Sequence, residues 1–214
     1  AELSFGLILN LVRNISFVSE KIQKSITWDR DHYRSRQLSG MTIGIIGFGR
    51  VGSQLSKYCQ AMDMKILAYD PRLNVDISKF KNVKFVQLCE LVSSSDIISI
   101  HATLNKSTKC LINKNLLKKF KKGAYLINSA RGEIIDEEAV VESLRLGVLR
   151  GLAVDVLKGE ELGIKKIEMS PIIKAKREGF NVIIAPHIGG CTIDAMHMTE
   201  EIIATHFKTI IHNT

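Results

Sequence analysis

Three polar residues lie just past apolar runs that read as strands: Arg131 after "AYLINSA", Glu160 after "GLAVDVLKG" and His187 after "NVIIAP". In open α/β sheets, ligands bind outside the carboxyl ends of the strands, so this is where chemistry is expected. Arginine carries a permanent charge in a planar fork that grips a carboxylate bidentately. Histidine titrates near neutrality and can pass a proton to or from a substrate oxygen. A carboxylate beside it fixes the imidazole tautomer and favours its charged form. Each residue alone also has a plain reading, as a surface cation, a solvated loop acid and a turn histidine. Their combination with a second pattern gives them weight.

That pattern is "TIGIIGFGRVG", in which Gly47, Gly49 and Gly52 form G-x-G-x-x-G between a strand and a helix. The first glycine permits a tight turn, the second lets a pyrophosphate approach the backbone, and the third allows close helix–strand packing. The helix start offers unpaired N–H groups and a positive dipole end to phosphates. The next strand, "KILAYD", ends in Asp70, 18 residues after Gly52, where a carboxylate accepts hydrogen bonds from ribose hydroxyls. Asp70 favours NAD over NADP because it repels a ribose phosphate, whereas the nearby Arg72 is suited to hosting one. Arg50 lies on the phosphate loop, either against the pyrophosphate or in solvent.

The elements that position these residues alternate. Helical spacing of Leu3, Leu7, Ile8, Leu11, Val12, Ile15, Val18 and Ile22 predicts an amphipathic helix over residues 1 to about 24. Beyond a polar linker containing Trp28, strands are expected at 42–46, 65–69, 83–86, 97–101, 124–128, 151–156 and 181–185. Helices are expected at 50–62, 88–94, 113–120, 136–146 and about 192–211. Strands such as "TIGII" and "DIISI" are continuously apolar, as parallel strands buried on both faces should be. The fold class is therefore α/β: a Rossmann-type, doubly wound parallel sheet of about seven strands in three layers. The charged stretch 157–180 is long for a connection, and reads as a short helix or as a mobile or functional loop.

Composition narrows the alternatives. The chain has 214 residues, enough for one substantial domain. No apolar run reaches the roughly 20 residues of a membrane helix, and the N-terminus lacks a signal-peptide cleavage site. A soluble cytoplasmic protein with no membrane partner is expected. The four cysteines are scattered without metal-ligand spacing and read as reduced thiols in packed positions, with no metal site. The formal charge is +8, but apart from "KNLLKKFKKG" the basic residues are dispersed. That run reads as a solvated helix end, and no nucleic-acid partner is expected.

The successive motifs "GIIGFGRVG", "DIISIHATLNKSTKCLIN", "GAYLINSARGEIIDEEAV", "GLAVDVLKGEE" and "NVIIAPHIGG" resemble those of the D-isomer-specific 2-hydroxyacid dehydrogenases. The resemblance runs from the first helix to about residue 200. It implies that Arg131 binds the substrate carboxylate and carbonyl, His187 is the acid/base, and Glu160 partners His187. It further implies NAD contacts at Asp155, toward the nicotinamide carboxamide, at His101 and Thr103 near the nicotinamide ribose, and at the Ala130 backbone. Val51, Thr108 and Gly189 complete the implied cofactor set with Gly47, Gly49, Arg50, Gly52 and Asp70. The substrate is then a 2-hydroxy or 2-oxo acid, with 3-phosphoglycerate the first candidate. The expected assembly is a homodimer through this domain, although the N-terminal apolar stripe could equally serve an intramolecular core.

The chain departs from the family pattern at Thr103 in place of proline, Leu157 in place of phenylalanine and Glu161 in place of proline. The 27-residue separation of Glu160 and His187 is longer than the family pattern has, which leaves Glu161 as a rival partner. Family members begin with a flavodoxin-like substrate domain of about a hundred residues. The expectation is that residues 1–214 are the cofactor domain and that the substrate domain is absent from this chain. A non-catalytic NAD-binding regulatory module, similar to co-repressors built on this fold, is the second reading.

Overall fold

The computed structural model describes residues 1–26, 28–72 and 80–212. Its seven strands are β1 Thr42–Ile46, β2 Lys65–Tyr69, β3 Val83–Phe85, β4 Ile97–Ile100, β5 Ala124–Asn128, β6 Leu149–Val154 and β7 Val182–Ile184. They form one sheet in the order β3-β2-β1-β4-β5-β6-β7, and every pairing is parallel. The strand order reverses between β1 and β4, which opens a crevice beyond their carboxyl ends. The expected doubly wound sheet is the one observed.

Helices cover both faces: α1 Glu2–Arg13, α2 Ile15–Lys24, α3 Arg50–Ala61, α4 Leu88–Ser94, α5 Lys114–Leu117, α6 Glu137–Arg145, α7 Ile164–Glu168, α8 Pro171–Arg177 and α9 Ile193–His212. Alternate strand residues feed opposite layers. Ile43, Ile45, Tyr125, Ile127 and Ala153 pack with α1 and α3. Ile98, Ile100, Leu126, Leu152 and Val154 pack with α4, α5, α6 and α8. Burial on both faces is the reason the strands read as unbroken apolar runs.

The N-terminal segment is two helices rather than one. Asn14 takes a left-handed conformation at φ 57, a conformation that asparagine tolerates better than most residues. Asn181 Nδ2 donates to Asn14 Oδ1 at 3.1 Å and to the Leu11 carbonyl at 3.3 Å. The break lets α1 bury Leu7, Ile8, Leu11 and Val12 in the core, each contributing roughly 1.5–3 kcal/mol. No side chain of α2 is buried.

The helix expected at 113–120 is the single turn α5, capped by Asn113, whose side chain accepts from the N–H groups of Asn115 and Leu116. The stretch 157–180 folds into a 3-10 turn at Glu160–Leu162 followed by α7 and α8. Only Cys59 is packed as expected, with its thiol pushed up to about 12 by burial. Cys110 is half-buried, and Cys89 and Cys191 are exposed free thiols. No helix among the described residues is long and apolar enough to cross a membrane.

The basic run is not merely solvated. Lys121 Nζ donates to Asp96 Oδ1 at 2.8 Å, Arg36 Nη1 donates to the same oxygen at 3.1 Å, and the Thr42 N–H donates to Oδ2 at 2.9 Å. Burial of Asp96 alone would raise its pKa, but the bonds from Lys121, Thr42 and Arg36 outweigh it and lower the value. A carboxylate with a depressed folded pKa contributes stability above its unfolded value, and that contribution is lost as pH falls through the folded value. Asp96→Asn is expected to cost about 1–2 kcal/mol at neutral pH, because the cations it pairs are themselves half-exposed. The difference from wild type should start to shrink as pH falls below roughly 4 and be lost only below the depressed folded value, as measured by denaturant melts across pH.

Candidate active site

The glycine loop is shaped by its neighbours. Gly47 has φ +90, and a Cβ there would stand 2.5 Å from the Ala102 nitrogen, so β1 can pass this close to the end of β4 only with glycine. At Gly52 a Cβ would meet the Gly47 carbonyl oxygen at 2.2 Å. Gly49 differs, because a Cβ there would meet no atom within 4 Å. The space beside Gly49, at the N-terminus of α3, fits a phosphate approaching the backbone. Arg50 and Val51 follow it and are exposed.

Two clefts flank this loop. One, of about 210 Å³, is bounded by Gly47, Asp70, Arg72, Ala102 and Thr108. Asp70 Oδ2 accepts from the Phe48 N–H at 2.9 Å and Oδ1 from the Arg72 N–H at 3.0 Å. Asp70 therefore braces the loop from β2, and its oxygens retain lone pairs for ligand hydroxyls. The Thr108 hydroxyl donates to the Thr103 carbonyl at 2.7 Å, closing the turn over this cleft.

The other cleft, of about 480 Å³, is bounded by Arg50, Val51, His101, Thr103, Ala130 and Arg131. His101 Nε2 lies 2.8 Å from the Ser99 hydroxyl. Burial pushes its pKa down to about 3, so the ring is neutral at physiological pH. Arg131 is exposed on a turn secured by the fully buried Asn128. Asn128 Oδ1 accepts from the Ala130 N–H at 3.1 Å, and its Nδ2 donates to the Arg131 carbonyl at 2.9 Å. Arg131 Nη1 donates to the Ala130 carbonyl at 2.6 Å.

His187 and Glu160 meet directly, through Nδ1 and Oε1. Glu160 Oε2 also accepts from the Leu157 N–H at 2.8 Å. Glu161, the rival, is exposed. His187 sits at φ 55, held there by its N–H to the Asp155 carbonyl at 2.7 Å. Asp155 is 1% exposed and lies beneath this loop. Its two oxygens accept from the Ile188 and Gly189 N–H groups, each at 2.8 Å. A Cβ on Gly189 would stand 2.8 Å from Asp155 Oδ2. The structure thus brings Arg131, Glu160 and His187 to one end of the sheet, with Asp155 as a support behind His187.

Sequence reasoning missed the residues that hold these loops, Asn128, Glu133 and Glu137. Asn128 and Gly132 were visible as parts of "INSARGE", whereas Glu137 reads simply as an acid in the first turn of a helix. Among the described residues no group of three or more histidines, cysteines or acids could hold a metal ion.

The family model described as D-isomer specific 2-hydroxyacid dehydrogenase, NAD binding domain, matches residues 5–189. A glyoxylate reductase of Thermofilum pendens is 38% identical over 216 residues, spanning 99% of this chain and 61% of the relative. A D-3-phosphoglycerate dehydrogenase of Haemophilus influenzae is 37% identical, spanning 91% of this chain and 46% of the relative. A D-lactate dehydrogenase from Aquifex aeolicus, crystallised with NAD and lactic acid, superposes with a TM-score of 0.87 at 32% identity, over 99% of this chain and 66% of the other. The chain spans less than two thirds of each of these proteins.

Proposed function

Since the chain belongs to the D-isomer-specific 2-hydroxyacid dehydrogenases, as their NAD-binding domain, we propose that it serves an NAD-dependent oxidoreductase acting on a 2-hydroxy or 2-oxo acid. The observation that carries this reading is the His187–Glu160 pair at the same sheet end as Arg131, beside a glycine loop with open space at Gly49. Bound NAD would supply or accept the hydride at the carbon bearing the substrate oxygen. Gly47, Gly49 and Gly52 would receive its pyrophosphate, Asp70 its adenosine ribose, and the second cleft its nicotinamide end. Asp70 at the end of β2 supports NAD over NADP.

Arg131 would grip the substrate carboxylate and favour negative charge developing on the carbonyl oxygen. His187 would hand a proton from Nε2 to that oxygen during reduction, with its Nδ1–H fixed on Glu160. The neutral His101 would offer a hydrogen bond without adding charge. Arg131 and His187 are both exposed, and we propose that a separate substrate-binding domain of the same protein supplies the opposite wall, where specificity would reside.

The test is turnover by the full-length protein. NADH oxidation with glyoxylate, or NAD reduction with D-3-phosphoglycerate or D-lactate, is expected with at least one of the three. NAD binding with no turnover of any 2-oxo or 2-hydroxy acid would instead support the non-catalytic module.

We also propose a homodimer formed through α2 and the segment after it. Ile15, Val18, Ile22 and Trp28 line an open groove of about 480 Å³, and Trp28 is 89% exposed. The α1 stripe is core, so it is α2 that is available for assembly. Sedimentation should give a dimer that Trp28→Glu converts to monomer. The exposed thiols of Cys89 and Cys191 suit a reducing compartment, which supports the cytoplasm as its location.

A further inference from the structure

The connection carrying Glu160 has three consecutive backbone amides, and each donates to a different glutamate. The Leu157 N–H goes to Glu160 Oε2 at 2.8 Å, the Lys158 N–H to Glu137 Oε1 at 2.8 Å, and the Gly159 N–H to Glu133 Oε1 at 3.3 Å. Glu137 is 7% exposed, and its other oxygen accepts from the Ser170 hydroxyl at 2.8 Å. Ser170 in turn caps α8, its oxygen accepting from the Ile172 N–H at 3.2 Å. One buried carboxylate thus ties together the start and the end of the excursion between residues 158 and 170. That excursion lengthens the separation of Glu160 from His187, and Glu137 is the buried group that holds both of its ends.

We propose that Glu137 is a positioning residue that keeps Glu160 on His187 Nδ1 and so sets the imidazole tautomer. The proposal rests on the catalytic reading above for its kinetic consequence, but not for its structural one. Glu137 touches neither clefts nor imidazole and acts through the Lys158 and Ser170 contacts. A neutral isostere suffices in geometry, since a glutamine oxygen can accept from the Lys158 N–H and its amide can donate to Ser170 Oγ.

The experiment compares Glu137→Ala, Glu137→Gln and Val140→Ala with wild type in the full-length protein. Val140 is a fully buried neighbour on α6 and controls for loss of packing. Long-range proton–nitrogen NMR at alkaline pH reads the neutral His187 tautomer. Wild type, Glu137→Gln and Val140→Ala are expected to hold the proton on Nδ1. Glu137→Ala is expected to shift it to Nε2, as Glu160→Ala does. Turnover should fall about tenfold to a hundredfold in Glu137→Ala through kcat, with KM for NADH unchanged and recovery in Glu137→Gln. An Nδ1–H tautomer retained in Glu137→Ala would overturn the proposal, as would an equal kcat loss in Val140→Ala. Should wild type turn over no acid, the catalytic reading fails while the tautomer comparison still decides the role of Glu137.

Discussion

Substituting His187 by asparagine in the full-length protein is expected to lower the proposed 2-oxo acid turnover by about 10²–10⁴-fold, with NADH affinity and thermal stability near those of wild type. Asparagine is the informative replacement because His187 lies at φ 55, where asparagine is among the few side chains tolerated without strain. The backbone bond from residue 187 to the Asp155 carbonyl at 2.7 Å is then retained, and so are the Asp155 bonds to residues 188 and 189. What is lost is the imidazole proposed to pass the proton to the substrate oxygen. Steady-state kinetics together with NADH titration by fluorescence separate the two effects. A variant with wild-type kcat would remove His187 from the chemistry. A large loss of NADH affinity would instead make it a cofactor contact.

Gly132→Ala is expected to be severely damaging for so small a substitution. A Cβ at residue 132 would stand 2.2 Å from the Leu157 carbonyl carbon, 2.3 Å from the Lys158 nitrogen and 2.5 Å from the Leu157 oxygen. These are backbone atoms, held by Glu137 and by the Glu160 side chain, and cannot rotate away as a side-chain tip could. Overpacking of this kind costs about 1–3 kcal/mol, and the upper end is expected here. The same displacement separates the turn of Arg131 from the loop of Glu160, so kcat should fall more than stability alone requires. Gly6→Ala is the contrast, because a Cβ there meets nothing within 4 Å on a helix and is expected to stabilise by about 0.5–1 kcal/mol. Equilibrium denaturation of both variants, with kcat measured well below their melting temperatures, checks the pair. If Gly132→Ala melts and turns over like wild type, the two loops are not in contact.

The two predictions test different parts of what was legible. The apolar strands announced themselves because each is buried on both faces, and the glycine spacing announced a phosphate loop because each glycine answers a local steric demand. Arg131, Glu160 and His187 could be picked out because each follows a strand. Which glutamate meets His187 was not decidable, since Glu160 and Glu161 are neighbours in a loop with no periodicity. The boundary at Asn14 was likewise hidden, because the helical apolar stripe continues through it and the residue that stabilises the break, Asn181, is far along the chain.

By itself, then, the sequence determined the order of the strands, the doubly wound sheet, the cofactor loop and the chemical types at the strand ends. These follow from local periodicity, backbone sterics and side-chain chemistry. Only the tertiary structure decided the pairing of Glu160 with His187, the support of His187 by Asp155, and the locking of the Arg131 turn to the Glu160 loop through Gly132, Glu133 and Glu137. Those contacts join residues 21 to 34 positions apart, and nothing local distinguishes a glutamate that reaches a distant amide from one that faces water.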